Sequence, residues 1–272
     1  MNRIHYLTGL PRSGNTVLSA LLNQNPRIYS SPLSPLPHVV HSVTTTMLNS
    51  QDFSRNPDKN RYSALLKGLY SSYYQDVKKP VIFDRSKHLF APTMIEALTE
   101  HIEPSPKIVY TVRPTLEILA SYLTLEHEHP VFVPLMTQEN FFQLTYESVD
   151  EAVCDYLMQV VLPSFFFQVN RALEPAYRDF VLFINYRDLV TKPSETLERI
   201  YEFIKEPVYT HNTDSIMKLE EDRDELVGSH PNLHHVRPNL QYSTVNYREV
   251  LPVSIQKRYS GFDFWEEELR YV

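Results

Sequence analysis

Four short apolar runs punctuate the chain, at residues 4–7, 80–84, 106–112 and 180–185. Each is too short for a helix and nearly uninterrupted, the pattern of a strand buried on both faces of a parallel sheet. Between them the apolar positions recur at helical spacing. Val17, Leu18, Ala20, Leu21 and Leu22 predict one helix, and residues 39–50 a second. Residues 61–77 predict a third, with Leu65, Leu66, Leu69, Tyr73 and Val77 on one face, and residues 115–122 a fourth. Residues 149–173 predict a long core helix carrying Val153, Tyr156, Leu157, Val160 and Val161. Residues 195–204 turn Leu197, Ile200, Tyr201 and Ile204 inward. Alternating strands and helices predict an α/β fold of three layers, a central, mostly parallel sheet with helices on both faces.

The remaining stretches read as connections. Residues 26–37 hold four prolines, which excludes helix and central strand and predicts an extended surface segment. Residues 52–60 are polar and read as a loop, and 220–225 as a solvated acidic face. Residues 126–145 are broken by Pro130 and Pro134 yet carry Phe132, Met136, Phe141 and Phe142, as a lid or acceptor-pocket segment would. His127 and His129 beside Glu126 and Glu128 lack the spacing of a metal site. The aromatic stretch 259–265 predicts a tail packed on the sheet.

The chain has 272 residues, 42% of them hydrophobic, enough for one domain spanning 1–272 with a substantial core. A net charge of −7 argues against a general nucleic-acid binder. The single cysteine, Cys154, excludes an internal disulfide and a multi-cysteine zinc site, and its neighbours place it in a buried helix. No apolar run approaches the length of a membrane span, and the first residues lack a basic-then-apolar leader pattern, so a cytoplasmic protein is expected.

The chemistry concentrates where the first strand runs into the first helix. Gly9-Leu10-Pro11-Arg12-Ser13-Gly14-Asn15-Thr16 holds two of the five glycines of the chain. A strand, a glycine-bounded loop and a helix start direct backbone N–H groups and the positive helix end at an anion. Gly9, Gly14 and Thr16 keep the spacing of a nucleotide-triphosphatase phosphate loop, but Asn15 stands where its lysine would be and Arg12 carries the charge instead. Downstream, the second strand closes on Asp84-Arg85, followed by Lys87-His88. The third closes on Arg113-Pro114, with Ser121 two helical turns further on, and the fourth runs into Tyr186-Arg187-Asp188-Leu189.

The loop P-R-S-G-N-T resembles the 5′-phosphosulfate loop of sulfotransferases that use 3′-phosphoadenosine 5′-phosphosulfate (PAPS). It looks closest to the tyrosylprotein and bacterial or phage-type branches. R-P…S and Y-x-D-L occur in the same order in that family. The resemblance implies the P-loop-like sulfotransferase fold and transfer of sulfonate to a hydroxyl or amine acceptor by in-line displacement, with 3′-phosphoadenosine 5′-phosphate (PAP) leaving and no metal needed. It assigns Pro11, Arg12, Ser13, Gly14, Asn15 and Thr16 to the 5′-phosphate and sulfonate, and Arg113 and Ser121 to the 3′-phosphate. Tyr186 would lie at the cofactor, and Ser243, Thr244 and Arg248 would contact its phosphates from a late segment. Arg12 and Arg85 would neutralise the transferring group. The glutamate that tyrosylprotein-type enzymes use as base has no counterpart in residues 30–38, which leaves His88 as the first candidate base and His38 as the second. The acceptor, whether small molecule, glycan or peptide, stays open, as does a homodimer. Two alternatives also remain: a P-loop kinase or hydrolase with Asp84 on magnesium, and a catalytically silent sulfotransferase-like nucleotide binder.

Overall fold

Five strands build one sheet: β1 (Arg3–Gly9), β2 (Ile28–Leu33), β3 (Val81–Arg85), β4 (Ile108–Val112) and β5 (Val181–Asn185). They lie in the order β2-β3-β1-β4-β5, and every neighbouring pair is parallel. The computed structural model describes residues 2–139, 146–218, 229–231, 233–240 and 246–269. In β1, Tyr6 faces one core and Leu7 the other, the period-two alternation of a sheet covered on both faces. Ile82, Tyr110 and Phe183 join Tyr6, while Phe83, Val109 and Ile184 join Leu7.

The helices follow in chain order. α1 (Asn15–Leu22), α2 (Leu36–Asn49), α3 (Gln51–Arg55) and α4 (Lys59–Tyr73) precede β3. α5 (Met94–Ala97) precedes β4. α6 (Thr115–Glu128), α7 (Phe132–Gln138), α8 (Val149–Tyr156) and α9 (Pro163–Ala172) lie between β4 and β5. α10 (Tyr186–Thr191) and α11 (Pro193–Ile204) follow β5. α12 (Tyr247–Val250), α13 (Val253–Arg258) and α14 (Phe264–Leu269) end the chain. α1 is too short to be stable alone. Complete burial of Leu18, Leu21 and Leu22 against the Leu7 face holds it. Among the described residues no single helix is long and apolar enough to cross a membrane.

Several expectations are corrected. The proline-rich stretch contains β2, with Pro32 inside it, and then the first turn of α2. A proline is accepted there because β2 is an edge strand paired with β3 alone, and the register slips between Ser30 and Leu33. The polar stretch 52–60 includes α3, capped by the Ser50 hydroxyl. α4 ends at Tyr73 and buries Tyr62, Leu66 and Tyr70, leaving Leu65 and Tyr73 exposed. The helix over 149–173 is two helices joined by a wide turn at Leu157–Val161 and bent by 50° before Pro163, which lacks the N–H to continue the first. α6 continues through Glu128 and α7 forms around Pro134, so most of 126–139 is helical. Phe141, Phe142 and the acidic run 220–225 lie outside the described residues. Trp265 of the tail stacks on Phe166 of α9, at 5.8 Å between ring centres, and so joins the helical layer.

Asp84 at the end of β3 ties three elements together. Its Oδ2 accepts from Ser34 at 2.9 Å and from Tyr74, beyond α4, at 2.7 Å. Burial raises its pKa from 3.8 to about 6, against the lowering effect of the Tyr74 and Ser34 hydroxyls. The native state therefore holds this proton more tightly than the unfolded chain does. The stability this contributes is fully present below about pH 3.8 and is lost as pH rises through about 6. At ~1.4 kcal/mol per pKa unit the loss is about 3 kcal/mol. In denaturant titrations, Asp84→Asn should gain about 2–3 kcal/mol on wild type between pH 4 and pH 7. A pH-independent difference between the two proteins would contradict this.

Candidate active site

The carboxyl ends of all five strands open into one cavity of about 210 Å³. From β1 the chain leaves toward β2 on one side, and from β4 toward β5 on the other. The loops after β1 and β4 therefore part and leave a crevice, the usual ligand position in open parallel sheets.

The loop after β1 is shaped by Thr111 of β4. Leu10 donates its N–H to the Thr111 carbonyl at 2.9 Å. Ser13, completely buried, turns its hydroxyl inward to Thr111 Oγ1 at 2.5 Å and to the Thr111 and Leu10 carbonyls. Its side chain is thus a peg under the loop and does not line the cavity. Asn15, in the lysine position, folds its amide back toward the Leu10 carbonyl at 3.3 Å. Gly9 has no room for a side chain, since a Cβ would stand 2.3 Å from the Thr111 carbonyl oxygen. Gly14, at φ 93°, caps α1, and a Cβ there would meet Tyr186 Cδ2 at 2.9 Å.

Pro11, Arg12, Gly14, Asn15, Thr16, Arg85, Arg113, Ser121 and Tyr186 all line the cavity. Arg12, at a left-handed φ of 59°, donates from Nε to Ser121 Oγ at 3.0 Å and from Nη1 to the Leu233 carbonyl. Arg113 is 5% exposed and lies over the Tyr186 ring at 4.3 Å, donating to Glu117 Oε2 and to the Arg12 carbonyl, each at 3.0 Å. Its planar cation is therefore fixed on both face and edge. Asp84 is fully buried and absent from the cavity wall, so it offers no ligand to a magnesium ion there.

His38 and His88 come together from separate elements, with ring centres 5.0 Å apart. Neither histidine lines the cavity; His88 follows Lys87 in the chain and stacks on Phe165 at 6.1 Å, and both of those residues do line it. Burial lowers the His88 pKa, and His38 and Lys87 lower it further. Arg248 is exposed on α12, over the ring of Tyr247, and lies outside the cavity wall. Ser243 and Thr244 lie outside the described residues. His127 bonds Asp150 at 2.8 Å, and Glu126 turns inward to His230.

Sequence reasoning missed the basic contribution of residues 233–240. His234, His235 and Arg237 line the cavity with Leu233, Asn239 and Leu240, and Lys87 and Phe165 complete the opposite side. One signal was present: Val236-Arg237-Pro238 repeats Val112-Arg113-Pro114, in a segment where histidines and an arginine cluster. Among the described residues the wall holds five permanently cationic side chains, Arg12, Arg85, Lys87, Arg113 and Arg237, and no carboxylate.

The sulfotransferase domain model matches residues 5–223. The chain belongs to the sulfotransferase family. Among solved structures, this sulfotransferase is similar to the sulfotransferase domain from the curacin biosynthetic pathway (18% identity, covering 95% of this chain and 96% of that one, TM-score 0.54). It is also similar to that from the olefin synthase of Synechococcus PCC 7002 (17% identity, 94% and 91%, TM-score 0.55). A mouse sulfotransferase complexed with PAP is comparable (15% identity, 94% and 81%, TM-score 0.53). At these identities the likeness speaks to the fold. No curated protein sequence matches significantly.

The contact between Gly14 and Tyr186 can be tested directly. Gly14→Ala combines an unfavourable φ with a clash against Tyr186, and should cost about 1–3 kcal/mol in denaturant unfolding. In a Tyr186→Ala background that clash disappears, leaving the backbone strain and a tight 3.2 Å contact with Leu189 Cδ2, so the added cost should be smaller. A Gly14→Ala protein as stable as wild type would show that the loop has freedom this packing denies.

Proposed function

We propose that this sulfotransferase uses PAPS and transfers its sulfonate to a hydroxyl or amine acceptor, releasing PAP. The observation that carries the reading is the wall of five cations without a carboxylate, in a chain whose net charge is −7. Such a site favours a ligand with more than one anionic group. The donor set suits a nucleotide bisphosphate in kind: a backbone cradle at a helix start, the Thr16 hydroxyl, and two groups of basic side chains.

PAPS supplies the transferable sulfonate: the acceptor atom bonds to sulfur as the bond to the 5′-phosphate oxygen breaks and PAP leaves. The residues of the chain position and neutralise. The loop amides, Asn15 and Thr16 hold the 5′-phosphate, and Arg113 with Ser121 the 3′-phosphate. Tyr186 keeps Arg113 flat. Arg12 and Arg85 offset the charge on the sulfonate and bridging oxygen. His88, its proton affinity lowered by burial and by its cationic neighbours, takes the acceptor proton. As in phosphoryl transfer, most of the acceleration comes from placement and charge stabilisation.

Calorimetry separates this reading from an adenosine mono- or triphosphate enzyme without knowledge of the acceptor. A charge-assisted contact to the 3′-phosphate is worth roughly 2–5 kcal/mol when buried, so PAP should bind roughly 30- to 3,000-fold tighter than 5′-AMP. Arg113→Ala should erase most of that preference and leave 5′-AMP affinity nearly unchanged. Equal affinity of wild type for both nucleotides would reject PAPS as donor.

The assignment of the base predicts a pH profile. With the His88 pKa lowered, kcat/KM should rise along a limb below about pH 6.5, the ordinary histidine value. His88→Ala should abolish that limb. His38→Ala removes a neighbouring positive charge, so the limb should move to higher pH. Wild-type profiles in both variants would exclude both histidines.

A further inference from the structure

Residues 233–240 form a strap along one wall of the cavity, with 229–231 just before it, and the two ends of this strap are fastened differently. At the far end Leu240 donates to the Thr213 carbonyl at 2.8 Å, and Ile216 donates to the Pro238 carbonyl at 2.6 Å. That end is tied to the end of α1 by Gln24, which exchanges two 2.8 Å hydrogen bonds with the Asn212 backbone. Among the described residues the near end is held by a buried pair, His230 Nε2 to Glu126 Oε2 at 2.8 Å, with the residues 2% and 4% exposed, and further along Lys218 Nζ donates to the His234 carbonyl at 3.2 Å. The His230 ring is enclosed by Phe132 at 4.9 Å and Tyr122 at 6.5 Å. The Leu233 N–H donates to the His230 carbonyl at 3.0 Å, and the Leu233 carbonyl accepts from Arg12 Nη1.

The two partners differ in how firmly each is held. Glu126 stands in the last turn of α6 and accepts from the backbone N–H of Val131, Phe132 and Val133 at 2.9, 3.0 and 2.9 Å, which caps α7. Burial would raise its pKa, but His230 and these N–H groups outweigh burial and hold it at about 2. Glu126 is thus fixed whether or not the strap is present, while His230 is a near-end attachment of the strap. Arg12 gives the strap a further contact, through the Leu233 carbonyl, but an anion in the cavity competes for the same guanidinium.

We propose that Glu126 and His230 form a clasp that holds the strap along the wall of the anion cavity, acting as positioning residues for Leu233 and Arg237 and limiting the escape of a bound bisphosphate nucleotide. The nucleotide part rests on the PAPS reading above; the clasp itself does not. Because Glu126 also caps α7, the informative variants are at His230. His230→Gln can return an Nε2 donor toward Glu126, whereas His230→Leu fills the space and offers none.

The test uses the full chain. Amide hydrogen exchange of the ligand-free protein should show residues 233–240 exchanging at least about tenfold faster in His230→Leu, the scale of one lost hydrogen bond to a charged group. His230→Gln should remain near wild type, and α7 should be unchanged in both. Stopped-flow displacement of PAP should give dissociation about tenfold faster for His230→Leu, with rescue by His230→Gln. Should His230→Leu raise exchange throughout the sheet, His230→Asn, whose amide falls short of Glu126, takes its place. Strap exchange equal to wild type in the variant lacking the donor would overturn the clasp. PAP that fails to bind wild type would overturn the nucleotide reading instead, and the exchange arm alone then decides the clasp.

Discussion

Thr111 is the fixed point of the site. It lies fully buried in β4, paired with both Gly9 of β1 and Ile184 of β5, so its carbonyl and hydroxyl are held rigidly by the sheet. Leu10 and Ser13 hang the loop from those two groups, and the loop can approach so closely only because residue 9 has no Cβ. Once the loop is hung there, Arg12 is thrown into the left-handed region and out toward Ser121, and Gly14 meets Tyr186. Changes at Thr111 would therefore move cations that Thr111 itself never touches.

Gathering five cations in one wall is electrostatically expensive, and the structure offsets the cost locally. Arg113 is braced by Glu117, whose carboxylate stays outside the cavity, and by the face of Tyr186. The helix that carries Glu117 and Ser121 starts where Asp263 accepts from the Thr115 N–H at 2.7 Å and from its hydroxyl at 2.6 Å. The C-terminal tail thus acts on the site through the first turn of α6, close to Arg113, although Asp263 itself stands outside the cavity wall.

Much of this was legible in the sequence because it depends on neighbours in the chain. The strand–loop–helix at the start, Arg113 at a strand end with Ser121 two turns into the following helix, and Tyr186 at the entry to α10 each follow from local spacing. What was not legible depends on partners far away. Ser13 reads as a ligand residue, and only Thr111, 98 residues later, turns it inward. Pro32 argues against a strand until the edge position of β2 is known. Asp84 looks like a metal ligand at a strand end, but the Tyr74 and Ser34 hydroxyls claim it. Residues 233–240 have no periodicity, so Arg237 and the paired histidines acquire meaning only when the strap is laid over the loop.

The contrast between the net charge of −7 and a cavity wall whose charged side chains, among the described residues, are all basic bears on how a ligand arrives. An anion far from the protein meets a repulsive field, but within a Debye length, about 8 Å at physiological ionic strength, the local wall dominates. Because the cations sit in a concavity between low-dielectric walls, their field is focused outward through the mouth. The surface thus acts as a filter on approach angle: polyanions are turned away over most of it and drawn in at the open ends of the strands, where attraction and the room to enter coincide.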